Sequence, residues 1–272
     1  MIYAAFTVYL LLIIAMGLGI YRQWTSLVKP AIVHWALLPG TFVSEVAYII
    51  GCLITGGEIK RAKLMDNGGA AGKGPAKGGE GGSAAPATEA TPKFKFFGPA
   101  LASLLAILAC GAAIVAVHSF LGKPVIDSFS AAVSPAKPTP ELPRVDLPMA
   151  IPLTWAEFWG DVDRHARLIR RTCEALPDLH WSDWHVPLFV YLAACLSIRL
   201  APARKEVRAM LASAVLVAAC IALAGSVSTQ FTTLMTDLWP LLTYVWATLL
   251  LLLILTLLIR SVVGLIKVLA GK

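Results

Sequence analysis

Charge is scarce in this 272-residue sequence: only 14% of the residues are Asp, Glu, Lys or Arg, 58% are hydrophobic, and the mean hydropathy is +0.75. So few charges cannot clothe a water-soluble globule or keep a disordered tail solvated, and a membrane protein is the class that remains. The glycine patterns of nucleotide sites are missing too: there is no P-loop and no Rossmann fingerprint, and no nucleic-acid-binding motif stands beside them. No internal repeat is visible. Cysteine is sparse. Four of the five (Cys52, Cys110, Cys195, Cys220) lie in apolar stretches and only Cys173 in a polar one, which argues against a disulfide framework or a cysteine-based metal site. Residues 1–20 lack the basic start and small-residue cleavage site of a secretory signal, so they read as an anchor helix.

What the sequence has in abundance is long apolar runs. Stretches able to cross about 30 Å of hydrocarbon occur at 2–20, 31–55, 97–119, 186–201, 209–228 and 239–259, which predicts six spans, the fourth being the shortest. The last two carry no charge between Ala209 and Gln230 or between Trp239 and Ile259. Lys and Arg then set the orientation. Loop 57–96 holds Lys60, Arg61, Lys63, Lys73, Lys77, Lys93 and Lys95, loop 199–208 holds Arg199, Arg204, Lys205 and Arg208, and the tail adds Arg260, Lys267 and Lys272. These segments are expected inside, with Arg22, Lys29, the charge-balanced 120–185 and the loop 229–238 outside. Both termini are then cytoplasmic, and a bacterial inner membrane is the expected location.

The expected fold class is an α-helical polytopic membrane protein with about six transmembrane helices, a small cytoplasmic β element and an extracytoplasmic amphipathic helix. Four regions follow: an anchor helix and short loop at 1–30, a membrane core at 31–119, an extracytoplasmic region at 120–185, and a three-helix membrane region at 186–272. Within the core, 58–65 and 92–97 read as short strands around a flexible Gly/Ala/Lys linker at 66–91. The lysines of this loop can attract anionic lipid headgroups, at about 1 kcal/mol apiece near the surface.

The extracytoplasmic region opens with a proline-rich stretch, 120–153, expected as an extended arm. Thr154 and Glu157 form a capping box that starts a helix. Trp155, Phe158, Trp159, Val162, Ala166 and Ile169 recur at helical spacing with charged residues between them, so this face is an interface candidate for the membrane surface or a partner subunit. Trp181 and Trp184 suit an interfacial belt. His165, His180 and His185 share the region without a spacing that would hold a metal on one helix face.

One carboxylate stands out. Glu45 sits near the middle of an apolar run, 34–59, where an ionisable side chain is costly and usually has a task. Pro39-Gly40 is expected to loosen the helix before it, and Thr55-Gly56-Gly57 to end it. Ser44, Glu45 and Tyr48 can form a polar network against a neighbouring helix.

The window 44–59, SEVAYIIGCLITGGEI, resembles the metal-binding helix of the site-2-protease family of intramembrane zinc metalloproteases, with Glu45, Thr55, Gly56, Gly57 and Ile59 in register. The family's two histidine ligand positions hold Ser44 and Tyr48 instead. Further on, Gly98-Pro99-Ala100-Leu101-Ala102-Ser103 is similar to the start of the family's next membrane helix, and Glu206 falls, more weakly, near the family's third ligand. The resemblance implies the family's core fold. It also implies that, with both histidines replaced by poor zinc ligands, the general base has outlived the metal. No catalytic residue, metal ligand or cofactor is therefore assigned. The chain is expected to be a non-catalytic pseudoprotease, a scaffold or accessory subunit whose partners are other membrane-protein subunits, the bilayer and its anionic lipids, and not nucleic acid. Two alternatives are an active metalloprotease using non-standard ligands such as His34 and Glu206, and a transporter or channel component using Glu45.

Overall fold

The structure, a computed structural model, describes residues 2–28, 30–56, 58–61, 89–91, 97–135, 137, 143–200, 207–227 and 229–269. It is a helical membrane protein. Along the chain run α1 (Ile2–Leu27), α2 (Pro30–Ala36), α3 (Leu38–Ile54), strands β1 (Glu58–Arg61) and β2 (Glu89–Thr91), α4 (Phe97–Val117), a π turn (His118–Gly122), α5 (Lys123–Val133), α6 (Trp155–Ala175), α7 (His185–Arg199), α8 (Val207–Val227) and α9 (Thr229–Leu269). Three stretches, Ile2–Leu27, Gly98–Val133 and Gln230–Ile266, are long and apolar enough to cross a membrane, while Leu38–Ile54, His185–Arg199 and Val215–Gly225 are shorter apolar helices.

Side-chain contacts fix the directions of the helices. Tyr3 stacks on Phe231 and its hydroxyl meets Thr232 Oγ1 at 2.6 Å, Tyr9 packs on Trp239 and Trp246, and Trp24 Nε1 donates to Thr256 Oγ1 at 2.9 Å, so α1 and α9 run parallel. Ile2 and Leu269 therefore lie at opposite ends of this pair. Helix α7 follows the same direction, with Phe189 on Tyr244 near its start and Arg199 over Tyr21 at its close. Helix α4 runs the other way, because its end, at His118, meets Phe189, while Cys110 Sγ reaches Arg199 O. Helix α8 returns from the end of α7 to Tyr3, whose hydroxyl donates to Gly225 O at 3.3 Å.

Several local expectations change. Glu58–Arg61 pairs antiparallel with Glu89–Thr91, so the second strand precedes 92–97; Phe97 already belongs to α4, and 92–96 lie outside the described residues, as does most of the linker 66–91. The proline-rich stretch begins as a helix: Pro124 occupies the first turn of α5, where its missing N–H costs nothing, and Val125, Ile126, Phe129 and Val133 turn a buried stripe to the bundle. The loop expected at 229–238 is helical and forms the start of α9. The break expected at Pro39-Gly40 falls at Leu37 instead, which leaves Pro39 in the first turn of α3. Thr55 caps α3 and Gly56 follows with φ 68°, the left-handed stop that a side chain would strain. The capping box of Thr154 and Glu157 starts α6 as read from the sequence.

Close packing between helices depends on small residues, as it must where lipid supplies no hydrophobic drive for association. A Cβ on Gly40 would come 2.4 Å from Cys195 O, and one on Gly51 would come 2.6 Å from Ala102 Cα. Those two glycines seat α3 against α7 and α4. Ala100, Ala102, Ser103, Ala106 and Cys110 form the buried face of α4.

Candidate functional site

The functional candidates converge on the end of α7. Arg199, expected in a loop, is the last residue of that helix and only 3% exposed. Its guanidinium lies 4.5 Å from the centroid of the Tyr21 ring, a cation–π geometry, and Nη2 is 2.9 Å from His34 Nδ1. Because a guanidinium only donates, His34 Nδ1 must accept, so that ring is neutral and its Nε2–H faces Tyr21 Oη at 3.5 Å. Glu45, 8% exposed on α3, lies within electrostatic reach of the same guanidinium. One arginine thus touches α1 through Tyr21 and α2 through His34, and lies in the field of Glu45 on α3. Arg199 Nε finds no acceptor among the described residues.

The bend that brings His34 here is satisfied locally. At the turn between α2 and α3, where Leu37 N still bonds Val33 O at 3.0 Å and Thr41 N bonds Leu37 O at 2.9 Å, Ala36 O accepts from Tyr191 Oη at 2.8 Å and from Cys195 Sγ at 3.4 Å. Two side chains of α7 therefore cap a carbonyl that lipid could not. Gly40 then lets α3 pass directly over the Cys195 carbonyl.

Of the three residues read as a network, Ser44 turns its hydroxyl back to Thr41 O at 3.1 Å, and Tyr48 is buried in a small cluster with Ala47, Cys52, Ala102 and Ala106 on the α4 side. Glu45 alone shares the Arg199 neighbourhood. Its partner was missed in the sequence because an arginine at a helix end, followed by Arg204 and Lys205, reads as a topology signal. The available clue was that Arg199 lies within reach of an apolar run otherwise free of charge.

A zinc ion of the kind the resembled family carries does not fit these residues. A resident cation, the guanidinium, already holds His34 Nδ1, and a second positive charge there would be repelled in a low dielectric. Among the described residues no three His, Cys, Asp or Glu side chains gather as a metal-holding group; Glu206 lies outside the described residues. His165 donates from Nδ1 to Asp161 O at 2.6 Å and packs on Tyr9 and Trp246, while His185 Nδ1 lies 2.6 Å from Asp183 Oδ1. Those bonds hold the Asp183 carboxyl below its ordinary range, the bond from the His185 ring contributing most.

Helix α6 divides in two. Leu168, Thr172 and Ala175 are buried, whereas Trp155, Phe158, Trp159 and Val162 are exposed and Ile169 is half-buried. The three aromatic rings pack on one another, with Trp155 and Trp159 stacked at 6.3 Å and Phe158 edge-on to both. The polar side is self-paired through Arg164–Asp161, Arg167–Asp163 and the Arg170 and Arg171 pairs with Glu174. It is not a free basic patch.

A cleft of about 110 Å³ between α1, α4 and α9 is lined only by apolar residues such as Phe6, Ile13, Ile114 and Leu242, and offers nothing to orient a polar ligand. Comparison with known proteins adds no relative: no protein-family profile, curated protein or solved structure matches the chain. The class defined by the fold is a membrane-embedded helical protein in which a buried arginine, Arg199, meets the half-buried His34 and Tyr21.

Proposed function

We propose that the chain is a non-catalytic, pseudoprotease-type membrane protein, a scaffold or accessory subunit of a complex in the bacterial cytoplasmic membrane. The supporting observation is the placement of Arg199. Its guanidinium bonds His34 Nδ1 and lies within electrostatic reach of Glu45, where a metal-dependent enzyme would need an open cation site; on this reading the carboxylate serves to hold helices together. The exposed Trp155–Phe158–Trp159 cluster is the proposed contact with partner subunits or the membrane surface, and the basic loop at 57–96 the proposed contact with anionic lipids.

The test is elemental analysis of gently solubilised, purified protein beside a Glu45→Gln variant, with the copurifying polypeptides identified. Metal-free protein carrying partner chains in fixed ratio is the expected result. Stoichiometric zinc that disappears in Glu45→Gln would overturn the reading and revive the protease alternative.

A further inference from the structure

We infer that residues 30–56 form a re-entrant hairpin that enters and leaves the bilayer at one face, so that the chain crosses five times, through α1, α4, α7, α8 and α9, and its amino terminus lies opposite the basic loops. The contacts carry the argument. Helix α1 ends at Leu27, beyond the level of Tyr21. Helix α2 starts only three residues later, yet by His34 the chain is back beside Tyr21 and Arg199, so α2 descends from the face at which α1 emerged. The bend at Leu37 stays at that depth, because Ala36 O and Gly40 both abut Cys195. Helix α3 then moves away from it: Gly51 rests on Ala102, and Ala102 lies on the Leu27 side of Cys110, which itself marks the Arg199 level on an antiparallel helix. Both arms of 30–56 therefore open to the same face.

Chemistry agrees. Helix α2 has 7 residues and α3 has 17, and α7, with 15, is shorter than α3, so it is the direction of the contacts and not length that separates the hairpin from the crossings. The apex lies about six residues, or roughly 9 Å, below the Leu27 level. Irregular backbone is tolerated at membrane depth only when protein covers it, and the Ala36 carbonyl is covered by Tyr191 and Cys195. The outer sides of the hairpin are apolar and exposed, at Ile32, Trp35, Phe42, Leu53 and Ile54, as lodging among the acyl chains of one leaflet requires.

Charge supplies independent support. Under six crossings Arg22 and Lys29 fell on the face opposite the other cations. With the hairpin re-entrant, Arg22, Lys29, the 57–96 and 199–208 loops and the Arg260–Lys267–Lys272 tail all fall on one face, and the charge-balanced 120–185 falls on the other. The positive-inside rule then assigns the basic face to the cytoplasm, with the amino terminus out and the carboxy terminus in.

The experiment is a sidedness measurement on the full chain. In a background with the five native cysteines replaced, single cysteines are placed ahead of Met1, at Ser83 (Ser83→Cys) and after Lys272, and reacted with a membrane-impermeant maleimide in right-side-out and inverted vesicles. The Ser83→Cys and carboxy-terminal cysteines are expected to react only in inverted vesicles, and the amino-terminal one only in right-side-out vesicles. Amino-terminal and Ser83→Cys labelling from the same side would overturn the proposal, since it requires a second crossing between them. Should the cysteine-free chain fail to insert, the native chain fused at either end to a fluorescent or phosphatase reporter decides the same point: two cytoplasmic ends overturn it. Neither outcome depends on metal content or partners, so this inference and the scaffold reading fail separately.

Discussion

Helix α7 has 15 residues and carries Ser197 and Arg199, yet Ala193 and every residue from Cys195 to Arg199 are buried. Helix α9 has 41 residues: Trp239, 241–247 and Leu249 are buried against the bundle, while most side chains from Ile254 to Ile266 are exposed. In water so long an exposed apolar stretch would be costly. In a bilayer an apolar side chain gains nothing by leaving lipid for protein, so the second half of α9 can stay outside, while polar groups and small residues are drawn to the interior where hydrogen bonds and close backbone contact are available. The contrast teaches that hydropathy alone does not mark the core, which takes in Gly17, Gly40, Gly51, Cys110, Cys195 and Arg199 beside the large apolar residues of α7 and α9.

The strongest way to break this contrast is at its charged centre. Arg199→Ala removes the guanidinium that stacks on Tyr21 and bonds His34 Nδ1 and should destabilise the solubilised protein by about 3 kcal/mol, the cost of leaving buried polar groups unpaired. Thermal aggregation assays should show it. Adding Glu45→Gln should restore part of the loss, and a double variant no better than Arg199→Ala would refute the coupling. Next in size, Gly40→Ala puts a methyl against the Cys195 carbonyl and should cost about 1–3 kcal/mol, since backbone must move to admit it.

A smaller effect is expected at the start of α6. Thr154→Ala removes a side-chain cap, worth about 1 kcal/mol, and should appear as faster amide exchange confined to the first turn. Backbone N–H groups of Leu153 and Thr154 hold the Glu157 carboxyl below its ordinary value, Leu153 contributing most. A carboxyl depressed in the folded state stabilises fully above its unfolded value, and that stabilisation fades as pH falls through the depressed one. First-turn protection should therefore be flat near neutrality and fall in acid, and Glu157→Gln should abolish the dependence. At the small end, Leu258→Ala on the exposed side of α9 should change stability by less than about 0.5 kcal/mol. A large loss there would show that α9 is covered by something the isolated chain lacks.

Much of this was legible in the sequence, for identifiable reasons. The capping box at Thr154 and the glycine stop after Thr55 are local signals, and each stands where the residues place it; of the six apolar runs, three belong to helices long and apolar enough to cross a membrane. The prominence of Glu45 was legible too, as the one carboxylate between His34 and Gly57. What escaped was long-range. Arg199 and His34 are 165 positions apart, and nothing local to either announces their contact. The direction of a short apolar helix escaped for the same reason: 31–55 has the length of a crossing, and only the contacts of Ala36, Gly40 and Gly51 show that it bends back. The stripe on α6 misled differently. Its period is correct, but the large aromatics mark the outward side of the helix, and the smaller Leu168, Thr172 and Ala175 mark the packed one.

The π turn at His118–Gly122 has a consequence for how this chain can change length. A π turn holds one residue more than the α-helix around it can accommodate, and here it brings Gly122 so close to the Phe189 ring that a Cβ would lie 2.4 Å from it. Deleting that extra residue would let the segment relax to a regular, fully bonded α-helix with the faces on either side roughly in register, so the stripe of Val125, Ile126, Phe129 and Val133 would stay turned to Tyr244 and the bundle. Single-residue deletions between 118 and 122 should therefore be tolerated better than deletions in the regular turns of α9, where one lost residue turns every later side chain by about 100°.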